Sequence, residues 1–310
     1  MKVLVLKGGP DAERPVSLES GGRVAAALRR AGVDVEEREI GRLTAAELRA
    51  LPGQVVFPVL HGPWGEGGPL QELLDADGRP YVGSGPGPAR RAMDKLATKH
   101  AAEEAGIPTP ESQSLTASEP CRVPLPLVLK PVDDGSSVDL RVCRSAEEVA
   151  RARAELHPRR PRLMAERFIT GREITVGVLD FLPGRVLPLI EIRAAGGLYD
   201  YEAKYHRDDT QYILDPELPA AVADACRRGA VAICDALRVR DVARVDFMVD
   251  ERGPWLLEVN TMPGFTDHSL VPKAAAHAGI PMADLCRGLA ERALARSGAQ
   301  LLQPGRFAGR

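Results

Sequence analysis

One stretch constrains this chain more than any other. Two alternating runs, Val242-Ala243-Arg244-Val245-Asp246-Phe247-Met248-Val249 and Trp255-Leu256-Leu257-Glu258-Val259-Asn260, flank Asp250-Glu251-Arg252-Gly253-Pro254. Period-two alternation around a glycine-ended turn predicts a β-hairpin with a three-residue loop. If Asp250 pairs with Pro254, Asp246 falls opposite Glu258 and Arg244 opposite Asn260. Opposed residues project to one side of a sheet, so these four share a polar face. Ala243, Val245, Phe247, Leu257 and Val259 then form the other face, a core. Two carboxylates ~5 Å apart repel by about 3 kcal/mol at an effective dielectric of ~20. A cation between them removes that cost, and two carboxylates plus an amide oxygen are hard ligands that suit Mg²⁺ beside phosphates. A solvent-facing side whose acids are neutralised by Arg244 fits the spacing equally well. Spacing alone leaves the two readings even.

The rest of the chain alternates strand and helix signals. Val3 to Leu6 is an apolar run that ends in Gly8-Gly9, and a helix is predicted from about Ser17 to Gly32. Val55 to Leu60 is a second buried strand, followed by the glycine-rich loop His61 to Gly68 and a helix from Leu70. This pattern predicts an open parallel α/β sheet with its sites at the carboxyl ends of the strands. A helical pattern covers Ala89 to Ala105. Leu127 to Lys130, Leu163 to Phe168 and Glu173 to Leu179 read as strands of an α+β region, with Ser145 to Glu148 as a capping box. A long helix from about Leu218 to Leu237 precedes the hairpin, and two helices follow it. Residues after Arg296 lack periodicity and are expected to form a flexible tail.

Composition narrows the class. The chain has 310 residues, 44% of them hydrophobic, and a formal net charge of −2, which disfavours a nucleic-acid or membrane-surface binder. The basic run His157 to Arg162 has two prolines and no interleaved aromatic residue, so it reads as a solvated loop. Five scattered cysteines form no metal-type spacing and suit a cytoplasmic protein. No apolar stretch is long enough to span a bilayer, and Met1 to Leu6 is too short for a signal segment.

Two lysines stand beside small-residue loops. Lys95 follows Met93-Asp94, and Lys130 ends an apolar strand before Asp133-Asp134-Gly135-Ser136-Ser137. Fixed positive charge beside flexible backbone N–H groups is what a triphosphate needs, although neither loop has the Walker A spacing. Each lysine taken singly is more often an exposed charge. The acids of Leu163 to Glu173 fit either a nucleotide-binding strand or a solvated edge.

Together these segments resemble the D-alanine–D-alanine ligases, members of the ATP-grasp superfamily. The resemblance rests on Gly8-Gly9 with Glu13-Arg14, on His61-Gly62 with Gly65-Glu66, and on Met93-Asp94-Lys95. It continues through Lys130-Pro131 with Gly135-Ser136-Ser137-Val138 and through Tyr199-Asp200-Tyr201-Glu202-Ala203-Lys204-Tyr205. Two long blocks close it: Glu258-Val259-Asn260-Thr261-Met262-Pro263-Gly264-Phe265-Thr266 and His268-Ser269-Leu270-Val271-Pro272. The resemblance implies an ATP-grasp fold with an N-terminal open parallel α/β domain over residues 1–90. It also implies a central lobe over 91–168, a C-terminal lobe with the metal site over 169–296, and a tail from 297 to 310.

It further implies that Lys95, Lys130, Glu166, Ile169, Glu173 and Lys204 bind ATP. Asp246, Glu258 and Asn260 would hold two Mg²⁺ ions, with Mn²⁺ as a substitute. Glu13 and His61 would position a first D-alanine, while Ser269 and Leu270 would hold the carboxylate of a second. Arg244 and Gly264 would stabilise the tetrahedral intermediate, and Glu13, Ser136 and Tyr205 would form a hydrogen-bonded set. A homodimer formed through the N-terminal domain is also implied.

Three positions depart from the family pattern: Asp139 and Lys7, and Gly67 where an aspartate is usual. Asp139 replaces a glycine, and an aspartate resists positive φ. A ligase of the D-alanine–D-lactate type, which usually carries phenylalanine where this chain has Tyr205, is one alternative, and another ATP-grasp carboxylate–amine ligase is a second. A dinucleotide-binding dehydrogenase lacks its Gly-x-Gly-x-x-Gly signature here. A non-catalytic ATP-binding module would have lost the metal acids that this chain retains.

Overall fold

The apolar run at the N-terminus forms the middle strand of a parallel sheet. In this computed structural model, which describes residues 1–116, 118–135, 139–194 and 209–301, β1 (Lys2–Gly8) lies between β2 (Asp34–Ile40) and β3 (Val55–Val59). β2 carried no apolar signal because only Ile40 of its residues is buried, while Asp34, Arg38 and Glu39 are exposed. It also accounts for Lys7, whose Nζ lies 2.5 Å from Glu37 Oε1 across the β1–β2 pair. Helix α1 (Arg14–Arg30) starts three residues earlier than expected, with a proline in its first turn. Ser17, buried on α1, accepts a hydrogen bond from the Gly8 N–H and donates one to the Val59 carbonyl. That pair of bonds fixes the helix entry, and Glu13 with it, above the carboxyl ends of β1 and β3.

A short helix, α2 (Ala45–Ala50), precedes β3, and α3 (Gly62–Gly65) and α4 (Pro69–Asp77) follow it. The predicted helix over Ala89 to Ala105 is two helices, α5 (Pro86–Met93) and α6 (Lys95–Glu104). Asp94 breaks them: its backbone is extended and its side chain accepts from the Ala97 N–H at 2.9 Å, as an N-cap does.

The middle region is an antiparallel sheet of β4 (Ser112–Leu115), β5 (Leu127–Pro131), β6 (Arg141–Cys143) and β7 (Leu163–Arg167), in the order β4-β7-β5-β6. Helix α7 (Ala146–Leu156) packs on it, capped by Ser145. A second antiparallel sheet has the order β10-β9-β8-β11-β12. Its strands are β8 (Arg172–Leu179), β9 (Ile190–Arg193), β10 (Gln211–Leu214), β11 (Val242–Asp250) and β12 (Gly253–Asn260). Helix α8 (Ala220–Leu237) covers its apolar face, with Ile233 and Leu237 in one core with Val245 and Phe247. Helices α9 (Leu270–His277) and α10 (Met282–Leu301) return to the first sheet. There Leu285 and Leu289 share a core with Val3, Val5 and Leu28. Helix α10 runs five residues past Arg296, where a tail was expected to begin. No described helix is long and apolar enough to cross a membrane.

The hairpin is tighter than its spacing suggested. Asp250 pairs with Gly253, which leaves Glu251 and Arg252 as a two-residue turn, and Val249 rather than Asp250 lies near Pro254. The missing loop residue reappears as a β-bulge: Phe247 pairs with Leu256, Asp246 with Glu258, and Leu257 is the extra residue between them. The core residue is therefore Leu256, fully buried, and not Leu257.

Candidate active site

Two cavities meet between these sheets. The larger, about 430 Å³, lies between the two antiparallel sheets and is lined by Lys130, Glu166, Ile169, Glu173, Met248 and Leu257, among others. The smaller, about 110 Å³, lies above the parallel sheet against Glu13, His61, Glu66, Arg244, Gly264 and Ser269. Lys95, Asp134, Gly135 and Glu258 line both. The bulge makes this junction: Leu257 and Glu258 are consecutive yet both line the larger cavity, which a regular strand forbids.

The larger cavity has a charged floor. Lys130 Nζ and Lys99 Nζ each lie 2.6 Å from a different oxygen of Glu166, and all three side chains are buried. Burial pushes the Glu166 carboxyl up, but the two ammonium groups outweigh it and hold the acid below its ordinary range. The sequence reading missed Lys99. It stands one helical turn after Lys95, so helical spacing alone could have found it. Glu191, also missed, is clamped by Arg172 and Arg193 at 2.7–3.0 Å.

At the junction, Asp246 Oδ1 accepts from the Thr175 hydroxyl at 2.6 Å, and Arg244 contacts both of its carboxylate oxygens at 2.9–3.2 Å. Glu258 lies 3.6 Å from Lys95 Nζ and 3.9 Å from Arg244. Asn260 Oδ1 accepts from the Met262 N–H at 2.9 Å. The described residues include no cluster of three or more His, Cys, Asp or Glu suited to a metal. The set here is two acids and an amide, all hard oxygen donors. They fit a divalent ion whose remaining ligands come from phosphates and water.

The smaller cavity is walled by a hydrogen-bonded ring. His61 Nδ1 lies 3.0 Å from the Met262 carbonyl, while the Met262 and Gly62 N–H groups donate to the two oxygens of Glu66. Because Nδ1 must carry the proton to bond a carbonyl, Nε2 is an acceptor, and it is buried without a partner among the described residues. Burial lowers the His61 pKa to about 4, so the ring is neutral. Burial also raises Glu66 well above the carboxylate range, helped by the neighbouring Glu13. Gly264 packs closely on Ser269, since a Cβ there would sit 2.7 Å from Ser269 Oγ and displace that hydroxyl. Ser269 precedes α9, and its Oγ accepts from the Thr266 N–H at 2.9 Å.

Every described residue selected from the sequence lines one of the two cavities. These are Glu13, His61, Lys95, Lys130, Glu166, Ile169, Glu173, Arg244, Asp246, Glu258, Asn260, Gly264, Ser269 and Leu270. Ser136, Lys204 and Tyr205 lie outside the described residues. Asp139 does adopt the strained conformation that was in question, with φ +59. Gly67 is required by its neighbour, because a Cβ there would meet the Pro63 carbonyl oxygen at 2.3 Å. The basic run His157 to Arg162 is not simply a solvated loop. Arg160 bonds Asp134 at 2.7 Å and Asp139 at 2.8 Å, and Arg162 bonds Asp94 at 2.5 Å. The count of basic residues hid the acids they meet, which are distant in sequence.

A parallel α/β sheet joined to two antiparallel sheets that clasp a charged cleft defines a ligase of the ATP-grasp fold. A family model described as the D-ala D-ala ligase C-terminus matches residues 103–291. A D-alanine–D-alanine ligase from Bordetella parapertussis is 45% identical over 98% of both chains, and one from Chromohalobacter salexigens is 43% identical over 90% of both. The crystal structure of the Bacillus anthracis D-alanine–D-alanine ligase complexed with ATP matches with a TM-score of 0.82 at 30% identity, covering 97% of this chain and 99% of that one. This chain belongs to the D-alanine–D-alanine ligase family.

Proposed function

We propose that this chain joins two D-alanine molecules into D-alanyl-D-alanine, a peptidoglycan building block, at the expense of ATP, through a D-alanyl phosphate. The observation that carries the reading is the junction of the two cavities. A triphosphate in the larger cavity ends at Lys95 and Glu258, where the smaller cavity begins. In this arrangement Lys95 and Lys130 bind phosphates, with Lys204 from outside the described residues. The backbone of Ile169 meets the base, Glu173 receives the ribose hydroxyls, and Glu166 holds Lys130 in place beneath the nucleotide. Glu13 takes the ammonium of the first D-alanine, and the unfilled His61 Nε2 offers it a second acceptor. The γ-phosphoryl group passes to the carboxylate oxygen of that D-alanine, and ADP leaves.

The second D-alanine, its carboxylate held by Ser269 and Leu270, attacks the carbonyl carbon with its free amine. The carbon–oxygen bond to phosphate then breaks. Arg244 and the Gly264 N–H face the oxygen on which charge develops, and donors placed there lower the barrier. Asp246, Glu258 and Asn260 would hold two Mg²⁺ ions, or Mn²⁺ in their place, which when bound neutralise phosphate charge. Tyr205 and Ser136, which lie outside the described residues, would act with Glu13 to favour an amine nucleophile over a hydroxy acid.

Residues 1–90 serve as the substrate domain, with lobes over 91–168 and 169–296 flanking the nucleotide. A cytoplasmic homodimer completes the reading, and five free cysteines suit that compartment. The test supplies purified protein with ATP, Mg²⁺ and equal D-alanine and D-lactate at neutral pH. D-Alanyl-D-alanine should dominate, with one phosphate released per dipeptide. Mainly ester product, or phosphate released without dipeptide, would overturn the proposal.

A further inference from the structure

Three acids lie close in sequence to Gly135, which lines both cavities: Asp133 and Asp134 before it and Asp139 after it. Acids beside a polyphosphate repel it unless each is neutralised. Each of the three meets an arginine of the run that follows α7. Arg162 lies 3.2 Å from Asp133, Arg159 lies 2.8 Å from Asp139, and Arg160 reaches across to both Asp134 and Asp139. The bridged acids are shielded, with side chains 18% and 14% exposed, so solvent screens these pairs less than ordinary surface ones.

The arginine run is itself fixed to the fold. The Arg159 and Arg160 N–H groups donate to the Leu156 carbonyl, and the Arg162 carbonyl accepts from the Val132 N–H. On the site side, Lys95 Nζ donates to the Asp134 carbonyl. Asp134 is therefore held by Lys95 through its backbone and by Arg160 through its side chain. Asp139 sits at φ +59, a conformation costly for any residue with a Cβ, and two arginines hold its carboxylate there.

We propose that Arg160 is a positioning residue for the triphosphate. By bridging Asp134 and Asp139 it fixes the spacing of these two acids and cancels the charge they would present to ATP. The inference rests on reading the larger cavity as the ATP site. Arg160 itself lines neither cavity, so its effect passes through Asp134, which lines both, and from there through Gly135 and Lys95.

The test compares steady-state kinetics and melting temperature for Arg160→Ala, Arg159→Ala, Arg160→Ala/Asp139→Gly and Lys130→Met. Arg160→Ala should raise the KM for ATP about tenfold and leave the KM for D-alanine within about twofold, the split expected when one ligand's site is disturbed. Arg159→Ala should change neither by more than about twofold, because Arg160 still holds both acids. The double variant should recover part of the ATP affinity, since glycine adopts the left-handed conformation unaided and the spacing no longer depends on an arginine, while Asp134 still lacks Arg160. An unchanged KM for ATP in Arg160→Ala, an equal rise in both KM values, or no recovery in the double variant would each overturn the proposal. Lys130→Met separates the two layers of the argument. If it weakens ATP binding while Arg160→Ala does not, only the role of Arg160 fails. If Lys130→Met also leaves ATP unaffected, the assignment of the cavity fails with it.

Discussion

Asp246 and Glu258 face each other across the β11–β12 pair at the one place where that pair is irregular, with Leu257 bulged out beside them. Glu258 lies where the two cavities join and Asp246 lines the larger, with Arg244 within 4 Å of both acids and Lys95 within 4 Å of Glu258.

Glu258→Gln should lower turnover by ~100-fold or more, because the proposed metal site would lose a charged ligand while its shape is kept. Stability in EDTA should stay within ~1 kcal/mol of wild type, since the substitution relieves repulsion from Asp246 and the contacts of Glu258 to Lys95 and Arg244 are long, at 3.6 and 3.9 Å. Melting curves in EDTA and phosphate release in excess Mg²⁺ check both parts. Near-normal turnover would remove Glu258 from the metal site.

The bulge predicts that two adjacent leucines behave differently. Leu256 is fully buried in the core under α8, so Leu256→Ala should cost ~2–5 kcal/mol. Leu257 lines the larger cavity, so Leu257→Ala should cost under ~1.5 kcal/mol and raise the KM for ATP instead. Denaturant titration and ATP kinetics on the pair decide the matter, and a reversed order of stabilities would contradict the register.

Much of this site was legible in the sequence, and the hairpin shows why part was not. Alternation placed Asp246 opposite Glu258 correctly, because the buried face fixes register at the far end of the pair. It misjudged the turn, because a two-residue turn plus a bulge consumes the same number of residues as the looser turn assumed. Strands buried on both faces, such as β1 and β3, were visible as apolar runs, whereas the edge strand β2 has a polar pattern without alternation. Asp94 broke a helix that periodicity ran straight through. Glu66 and Arg160 escaped selection because each depends on partners 21 or more residues away in sequence, which no local pattern encodes, whereas the one-turn spacing of Lys99 from Lys95 was there to be read.

Glu166 ties two buried lysines. Glu166→Ala should destabilise the protein by ~3–5 kcal/mol, because Lys99 and Lys130 would stay buried without their counter-ion. A loss under ~1 kcal/mol in urea titration would mean that the lysines find other partners.

His61 should report on acid stability. The unfolded imidazole takes up a proton below pH ~6.5, whereas the buried ring resists until about 4. Its contribution is thus present above pH 6.5 and lost as pH falls towards 4, by at most ~3 kcal/mol. Glu66 acts in the opposite sense, since its raised pKa makes the fold hold a proton that the unfolded chain releases. The His61 term is therefore read as the difference between wild type and His61→Gln. That difference should shrink from pH 7 to pH 4, and a constant difference would show that the ring is not buried neutral.

The central claim is that phosphate is transferred to the first D-alanine before the peptide bond forms. D-Alanine labelled with ¹⁸O in both carboxylate oxygens, given with ATP and Mg²⁺ to the wild-type protein, tests it directly. Mass spectrometry of the released phosphate should find one ¹⁸O atom per phosphate, because the oxygen that accepted the phosphoryl group leaves with it. Phosphate free of ¹⁸O, formed alongside D-alanyl-D-alanine, would contradict the account.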